Sequence, residues 1–191
     1  HLYAFMAHDA DLLLKQPDLW AELIRLQADK LIIKKGYSLY HPEQLEKLLE
    51  ADFIPEIVQV PYNLLDRRFG PAMKQLHDMG VEIHVRSVFL QGLYLMELSK
   101  LPEKLQAISS ELKQLHDLAL TENVSMSALA LNFATQNPHI DQVVIGVDSS
   151  SQLHMNLQAL NSWDDKKNTI FSQVMQLTCS HPELLIPSNW K

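Results

Sequence analysis

The hydrophobic pattern of this chain alternates between short β-branched runs and longer stretches with helical periodicity. Two of the runs, Ile57–Asn63 (IVQVPYN) and Gly80–Leu93 (GVEIHVRSVFLQGL), end abruptly in polar or glycine-bearing sequence. The interval Leu65–Met79 between them has apolar residues at helical spacing. A strand–helix–strand alternation is typical of a parallel β/α fold, in which functional groups gather at the carboxyl ends of the strands.

The same alternation predicts five strands along the chain. They are expected at residues 2–9, 31–38, 57–60, 81–88 and 142–147, the first of them buried. Helices are expected at residues 17–28, from 41 onward, and at 67–79, 105–115, 125–136, 149–160 and 164–178. Residues 90–102 are apolar but broken in pattern, which indicates a ligand-covering loop.

Five β/α units connected by right-handed crossovers curl in one direction, like an arc of barrel staves. The expected fold class is therefore α/β: a partial TIM (β/α)8 barrel of about five parallel strands with outer helices and extra helices, in one domain over residues 1–191. A half-open parallel sheet exposes two edges and an apolar face. Because the sequence also begins inside a core strand without Met, we expect a truncated chain, completed by a missing amino-terminal segment or a partner chain.

Composition narrows the classes of partner. The net charge is -7 and no stretch concentrates Lys or Arg, which argues against binding to nucleic acid or to an anionic membrane surface. No apolar run approaches the roughly 18 residues that a membrane helix needs. The single cysteine, Cys179, cannot form an internal disulfide, so a cytoplasmic location is expected.

Five segments carry a resemblance to a known family. They are His8 at a strand end, Gly36–Ser38 (GYS), Val58–Arg68 (VQVPYNLLDRR), Arg86–Leu93 (RSVFLQGL) and Val143–Leu160 (VVIGVDSSSQLHMNLQAL). In this order they resemble the carboxyl-terminal part of an aldo-keto reductase, from about the fourth strand of the barrel onward. The resemblance covers nearly the whole chain.

The resemblance implies a (β/α)8 barrel that transfers hydride between a nicotinamide cofactor, usually NADP(H), and a small-molecule aldehyde or ketone. The family's catalytic Tyr, Asp and Lys lie on earlier strands and have no counterpart here. The sequence has five tyrosines, and none of them occupies the place of the acid: Tyr3, Tyr37, Tyr40, Tyr62 and Tyr94. We therefore expect the cofactor-binding half of a reductase, inactive by itself, because it lacks the proton donor.

Three residues match the nicotinamide end of the family's site. His8 matches the active-site His that orients the substrate carbonyl, as a neutral imidazole can. Ser38 and Gln59 match the residues that hold the nicotinamide carboxamide, where many members follow the Ser with Asn and this chain has Leu39. From the residues alone, His8 bonded to a loop and Gln59 bonded to a neighbouring strand or water are open alternatives.

Arg86 and the residues after it match the cofactor's central part. Many members place an aromatic ring at the position of Arg86, which here could reach the pyrophosphate or the substrate, or could instead pair with Glu82 or Asp66. The resemblance implies that a loop cradles the pyrophosphate through backbone N–H groups. Its matching residues are Ser87, Phe89, Gln91 and Gly92.

The last strand and its helix match the adenosine end. The matching residues are Gly146, Val147, Asp148, Ser149, Gln152 and Asn156. A helix amino terminus favours phosphate, but Asp148 stands where many NADPH users carry Arg or Lys, and Met155 replaces a usual Glu. We therefore hypothesise that the preference for NADP(H) is relaxed toward NAD(H).

Two other classes of function are open. The chain could be a catalytically inactive scaffold or cofactor-sensing module of the same fold. It could also be a metal-dependent barrel hydrolase that uses His8, Asp9, His84 and Asp148. The spacing argues against the hydrolase, because no pair has the tight H-x-H or H-E-x-x-H spacing of zinc sites.

Overall fold

The computed structural model describes residues 1–190, with the side chains of all except residues 165 and 166. The described chain divides into two compact units. The first contains residues 1–61, 68–86 and 138–143, and the second contains residues 62–67, 87–137 and the chain from residue 144 onward. None of the helices in the described part of the chain is long and apolar enough to cross a membrane.

The first unit holds a parallel sheet of five strands in the order β1-β2-β3-β4-β5. The strands are β1 (Leu2–Ala7), β2 (Ile32–Ser38), β3 (Ile57–Pro61), β4 (Glu82–Arg86) and β5 (Gln142–Val143). Each neighbouring pair is parallel. Sequential strand order with helical crossovers is the pattern of a (β/α)8 barrel, so the sheet is an open, five-stranded part of such a barrel and the predicted fold class is confirmed.

Four helices belong to the first unit: α1 (Ala10–Lys15), α2 (Asp18–Ala28), α3 (Pro42–Glu50) and α4 (Gly70–Asp78). For three of them, a residue of the sequence explains where the helix begins or ends. The Asp9 carboxylate accepts hydrogen bonds from two amides at the start of α1, and Pro42 opens α3. Gly80 follows α4 with a φ of 77°, a left-handed conformation that glycine adopts without strain.

Glycine is required at one position inside the sheet. A Cβ at Gly36 would lie 1.7 Å from the carbonyl oxygen of Ile57 on β3. No side chain fits at that distance, so only glycine lets β2 approach β3 this closely. The approach sets the pairing of Gly36 with Ile57 and, two residues along, of Ser38 with Gln59.

The second unit is helical. Its α-helices are α5 (Ser109–Thr121), α6 (Met126–Thr135), α7 (Ser150–Asn161) and α8 (Thr169–Gln176). Short 3-10 helices cover Leu93–Leu95, Leu98–Lys100, Glu103–Ile108, Asp165–Asn168, Pro182–Leu185 and Pro187–Trp190. Aromatic rings contribute to its packing: Phe133 stacks on Tyr62 with centroids 5.4 Å apart and meets Phe171 edge-on at 5.7 Å.

Several predicted elements differ from the structure. The first strand is exposed rather than buried, because β1 pairs only with β2, and Leu2 is 57% exposed. The fourth strand ends at Arg86, the fifth contains only Gln142–Val143 and the last helix starts at Thr169. A strand ends where its ladder partner ends, and periodicity does not encode that limit.

Two further elements were not predicted correctly. Helix α1 was missed because six residues give too short a periodic signal. Residues 90–102 are not an irregular loop but contain two 3-10 turns. Leu90, Leu93 and Tyr94 are fully buried there, so much of the apolar character of this stretch serves packing.

Within the second unit, a buried carboxylate on α5 binds the carboxyl-terminal segment. Glu111 on α5 accepts hydrogen bonds from the Ser180 amide at 3.0 Å and from the Ser180 and Ser110 hydroxyls at 2.6 Å. Burial opposes ionisation of Glu111, but these hydrogen bonds outweigh it and lower its pKa to about 2.

We predict that Glu111 makes stability depend on pH in the acid range. Because its pKa in the folded chain is about 2 against an ordinary 4.5, its contribution is present above pH 4.5 and lost as the pH falls toward 2. Denaturant unfolding across this range should show a smaller loss of stability for Glu111→Gln than for the wild type. Glu103→Gln, at an exposed position, is the control, and equal pH profiles for wild type and Glu111→Gln would contradict the assignment.

Candidate functional site

Ser38 and Gln59 stand side by side at the carboxyl edge of the sheet. They are Cα partners across β2 and β3, and the Leu39 amide extends this pairing by donating to the Gln59 carbonyl at 2.9 Å. Paired residues of neighbouring strands project to the same face. Neither the Ser38 nor the Gln59 side chain hydrogen-bonds to any group in the described part of the chain, and Ser38 is only 6% exposed.

His8 and Arg86 meet at the same edge through Tyr40. His8 is the residue after β1, and its Nε2 lies 3.4 Å from the Tyr40 hydroxyl. The guanidinium of Arg86 lies over the Tyr40 ring, 4.3 Å from its centroid, and donates to the Leu39 carbonyl at 3.0 Å. A cation over an aromatic face is attracted by the ring quadrupole. Tyr40 thus joins residues from the ends of β1 and β4.

A separate polar cluster centres on Glu82, at the opposite end of β4. Its carboxylate accepts from Lys34 at 2.5 Å, from the Tyr3 hydroxyl, and pairs with His84 at 2.6 Å. Burial opposes ionisation, yet these hydrogen bonds lower the pKa of Glu82 to about 2. His84 therefore belongs to the hydrogen-bonded network around Glu82. This network lies at the opposite edge of the sheet from His8. Among the described residues, no three His, Cys, Asp or Glu side chains converge to hold a metal.

In the second unit, the loop from Ser87 to Gly92 has an unusual backbone. Ser87, Leu90, Gln91 and Gly92 all have positive φ, between 46° and 82°. Three successive turns are closed by backbone hydrogen bonds. The amides of Leu90, Gly92 and Leu93 donate to the carbonyls three residues earlier. In contrast, no acceptor among the described residues takes the amide hydrogens of Val88, Phe89 and Gln91. Unpaired N–H groups in such a curled loop suit an anion.

The amino end of α7 is closed by its own side chains. The Ser149 hydroxyl accepts from the Gln152 amide at 3.2 Å, and the Gln152 side-chain oxygen accepts from the Asp148 amide at 2.7 Å. The arrangement differs from a capping box in that Gln152 accepts from Asp148, one residue before the N-cap. The side-chain oxygen of Gln152 is therefore already used. Gly146 and Val147, just before it, are exposed, and a Cβ at Gly146 would meet nothing within 4 Å.

Asn156 on α7 presents a buried amide without a partner. The residue is 4% exposed, and its Nδ2 donates to no acceptor among the described residues. A buried polar group left unpaired costs free energy, which proteins accept where a ligand later supplies the partner.

The structure places the predicted residues in two groups, one in each unit. His8, Ser38, Gln59 and Arg86 lie at the carboxyl edge of the sheet in the first unit. The second unit holds Ser87, Phe89, Gln91 and Gly92 on the 87–92 loop, Gly146, Val147, Asp148 and Ser149 before α7, and Gln152 and Asn156 on α7. In the first unit the Ser38 and Gln59 side chains have no partner among the described residues, and in the second unit the same holds for three loop amides and the Asn156 amide.

Sequence reasoning missed three residues with structural bearing on these groups. Tyr40 was considered only as a proton donor, whereas it links His8 to Arg86. Tyr94 was likewise considered only as a proton donor, and Asn63 was assigned no role. The Asn63 side chain nevertheless bonds to Ser87 at the start of the 87–92 loop and to Tyr94 just beyond its end. A polar residue just after a strand, as in the YN of VPYN, was the signal that could have drawn attention to Asn63.

We predict that Asn156 lowers the stability of the ligand-free chain. Asn156→Leu, of similar volume, should raise the free energy of unfolding by about 1 kcal/mol, because it removes a buried amide without a partner. Asn132→Leu is the matched control, because the equally buried Asn132 amide donates to the Ala128 carbonyl at 2.9 Å. That change should lower stability. A loss of stability in Asn156→Leu equal to that of the control would contradict the interpretation.

Comparison with known proteins gives a consistent picture. The family model described as "Aldo/keto reductase family" matches residues 2–174. Among curated proteins, the chain is similar to the L-glyceraldehyde 3-phosphate reductases of Escherichia coli O157:H7 and of strain K12. Each is 27% identical over 152 residues, which is 66% of this chain and 44% of the relative. The chain thus spans less than half the length of these relatives.

Solved structures share the fold. The holo form of the aldo-keto reductase AKR11C1 from Bacillus halodurans has a TM-score of 0.69 at 19% identity, covering 95% of this chain and 61% of its own. The glycerol dehydrogenase AKR11B4 from Gluconobacter oxydans has 0.66 at 16%, covering 91% and 57%. A mutant of Gox0644 in complex with NADPH has 0.58 at 15%, covering 91% and 58%.

A family model that spans nearly the whole chain and a sheet with the family's strand order lead to the same result: this chain belongs to the aldo/keto reductase family.

Proposed function

We propose that this chain is the cofactor-binding half of an oxidoreductase that transfers hydride between NADP(H) or NAD(H) and a small-molecule aldehyde or ketone. The observation that carries the proposal is the pairing of Ser38 with Gln59 at the carboxyl edge of the sheet. A hydroxyl and an amide, adjacent and without partners among the described residues, offer both donors and acceptors to a nicotinamide carboxamide. Two such contacts fix which face of a ring is presented to a substrate.

Two features of the second unit support a dinucleotide. The backbone amides of Val88, Phe89 and Gln91, which have no acceptor among the described residues, can donate hydrogen bonds to a pyrophosphate without a net positive charge in the loop. The buried amide of Asn156 lacks an acceptor, which a ring nitrogen of adenine would supply. The relative whose structure holds NADPH shares this fold.

His8 is the residue of this chain that we assign to the substrate. When bound, a reduced nicotinamide supplies the hydride. The imidazole of His8 would donate a hydrogen bond to the carbonyl oxygen and so stabilise the charge that develops there. The Tyr40 hydroxyl, 3.4 Å from Nε2, limits the orientations of the ring. The proton would come from a Tyr on strands that precede this sequence in the family's order, and an amino-terminal segment or partner chain would provide it.

An inactive scaffold or cofactor-sensing module is the second candidate. Both candidates require the same cofactor contacts. They differ in whether this chain, once combined with the amino-terminal half of the barrel, reduces a carbonyl. The lone Cys179 and the absence of Lys- or Arg-rich stretches support a cytoplasmic location and no nucleic-acid partner for either candidate.

The test is to titrate the folded 191-residue chain with NADPH in a calorimeter. Ser38→Ala and Gln59→Leu should each lower the affinity for NADPH by about tenfold, because each removes a hydrogen bond to the carboxamide. The same variants should leave the affinity for 2′,5′-ADP unchanged, since this ligand lacks the nicotinamide. A folded chain that binds neither NADPH nor NADH would refute the proposal. Carbonyl reduction after addition of the amino-terminal half separates enzyme from scaffold.

We further predict a weak preference between the two cofactors. The carboxylate of Asp148, exposed at the start of α7, would repel a 2′-phosphate, so the dissociation constants of NADH and NADPH should differ by less than about a hundredfold. Asp148→Arg should shift the ratio toward NADPH by about tenfold or more. Glu103→Arg makes the same change of charge at an exposed position of the same unit and should not shift the ratio. NADPH bound over a hundredfold more tightly by the wild type would contradict the hypothesis.

A further inference from the structure

Asn63 is a fully buried asparagine. It follows β3 in sequence and belongs to the second unit. Its Oδ1 accepts from the amides of Leu65 at 3.2 Å and Asp66 at 2.8 Å. These two bonds close a turn of the Asx type, which shapes the chain immediately after the strand. They are two of the four hydrogen bonds that the Asn63 side chain makes among the described residues.

The other two bonds reach the 87–92 loop from both ends. The Nδ2 of Asn63 donates to the Ser87 carbonyl at 3.1 Å, where the loop begins. The Tyr94 hydroxyl, just beyond its end, donates to the Oδ1 of Asn63 at 2.5 Å. The Tyr94 hydroxyl also accepts from the Leu65 amide at 3.1 Å. One buried side chain therefore connects the start and the end of this loop.

Tyr94 is itself held in place. It is fully buried, and its carbonyl accepts from the ring of His116 on α5 at 3.0 Å. Burial raises the pKa of the Tyr94 hydroxyl, so it remains protonated at neutral pH and acts as a donor toward Asn63. Hydrogen bonds of this kind are strong in a low-dielectric interior and specify one arrangement.

The loop needs such support. Ser87, Leu90 and Gln91 are not glycines, yet each has a positive φ, a conformation that costs free energy for residues with a side chain and persists only where surrounding contacts impose it. The same conformation leaves the amides of Val88, Phe89 and Gln91 without an acceptor among the described residues. An unsupported loop would relax and pair these amides elsewhere.

We propose that Asn63 and Tyr94 are a positioning pair that holds the 87–92 loop in its anion-binding conformation before the cofactor arrives. The inference rests on the proposed function, because the anion is the pyrophosphate of the nicotinamide dinucleotide. Neither residue contacts the ligand. Their effect is to lower the cost of ordering the loop on binding, which increases affinity without a new contact.

The test removes one oxygen atom, by Tyr94→Phe. NADPH binding should weaken by about tenfold, since the loop must then be ordered at the expense of binding. Binding of 2′-AMP, which has no pyrophosphate, should not change. In the ligand-free variant the amides of Leu90, Gly92 and Leu93, which donate within the loop, should exchange with solvent faster than in the wild type.

Tyr37→Phe is the matched control. The Tyr37 hydroxyl is also buried and donates to the carbonyl of Phe53 at 3.2 Å, in the first unit. Its loss should lower stability by a comparable amount while leaving the exchange of the loop amides unchanged. A merely structural role for Tyr94 predicts that the two variants behave alike in both loop exchange and the ratio of NADPH to 2′-AMP affinity.

The outcomes separate the inference from the proposed function. Wild-type affinity for NADPH and unchanged loop exchange in Tyr94→Phe would overturn the positioning role. A wild-type chain that binds no dinucleotide would overturn the proposed function and with it the ligand named here. Should Tyr94→Phe not fold, exchange in the wild type decides: unprotected amides at Leu90, Gly92 and Leu93 before ligand is added would show that the loop is not held in advance.

Discussion

The arrangement of the sheet depends on the close approach of two neighbouring strands. At Gly36 the backbone of β2 lies so near the Ile57 carbonyl that a Cβ would stand 1.7 Å from its oxygen. This contact excludes every residue but glycine and, through the fixed period of a strand, determines which residues face each other further along. The partners two positions on are Ser38 and Gln59. The close contact at Gly36 therefore determines which polar side chains stand opposite each other at the ends of the two strands.

Two buried asparagines in the second unit show how hydrogen-bond accounting distinguishes structure from function. Among the described residues Asn63 makes four hydrogen bonds through its side chain, so both of its polar atoms have partners and it shapes the backbone around it. Asn156 is almost as buried, but its Nδ2 has no acceptor among the described residues. Since unpaired buried amides cost stability, we propose that the Asn156 amide serves a ligand, whereas contacts within the fold account for the burial of Asn63.

Sequence reasoning succeeded where local physics decides. Glycine after α4, proline at the start of α3 and Ser149 before α7 ended or began helices as expected, because caps act over a few residues. It failed for the burial of β1 and the length of β5. An alternating apolar pattern predicts a strand, but burial and pairing depend on what lies beside the strand, which no local pattern records.

The sequence by itself determined the β/α alternation, the family resemblance and the identity of the residues at each strand end, because periodicity, capping and short motifs are local properties of the chain. Only the tertiary structure showed that Tyr40 joins His8 to Arg86, that Asn63 and Tyr94 connect both ends of the 87–92 loop, and that the Asn156 amide lacks a partner. These contacts join residues distant in sequence, and their geometry depends on strand register and burial, which arise only when the whole chain packs.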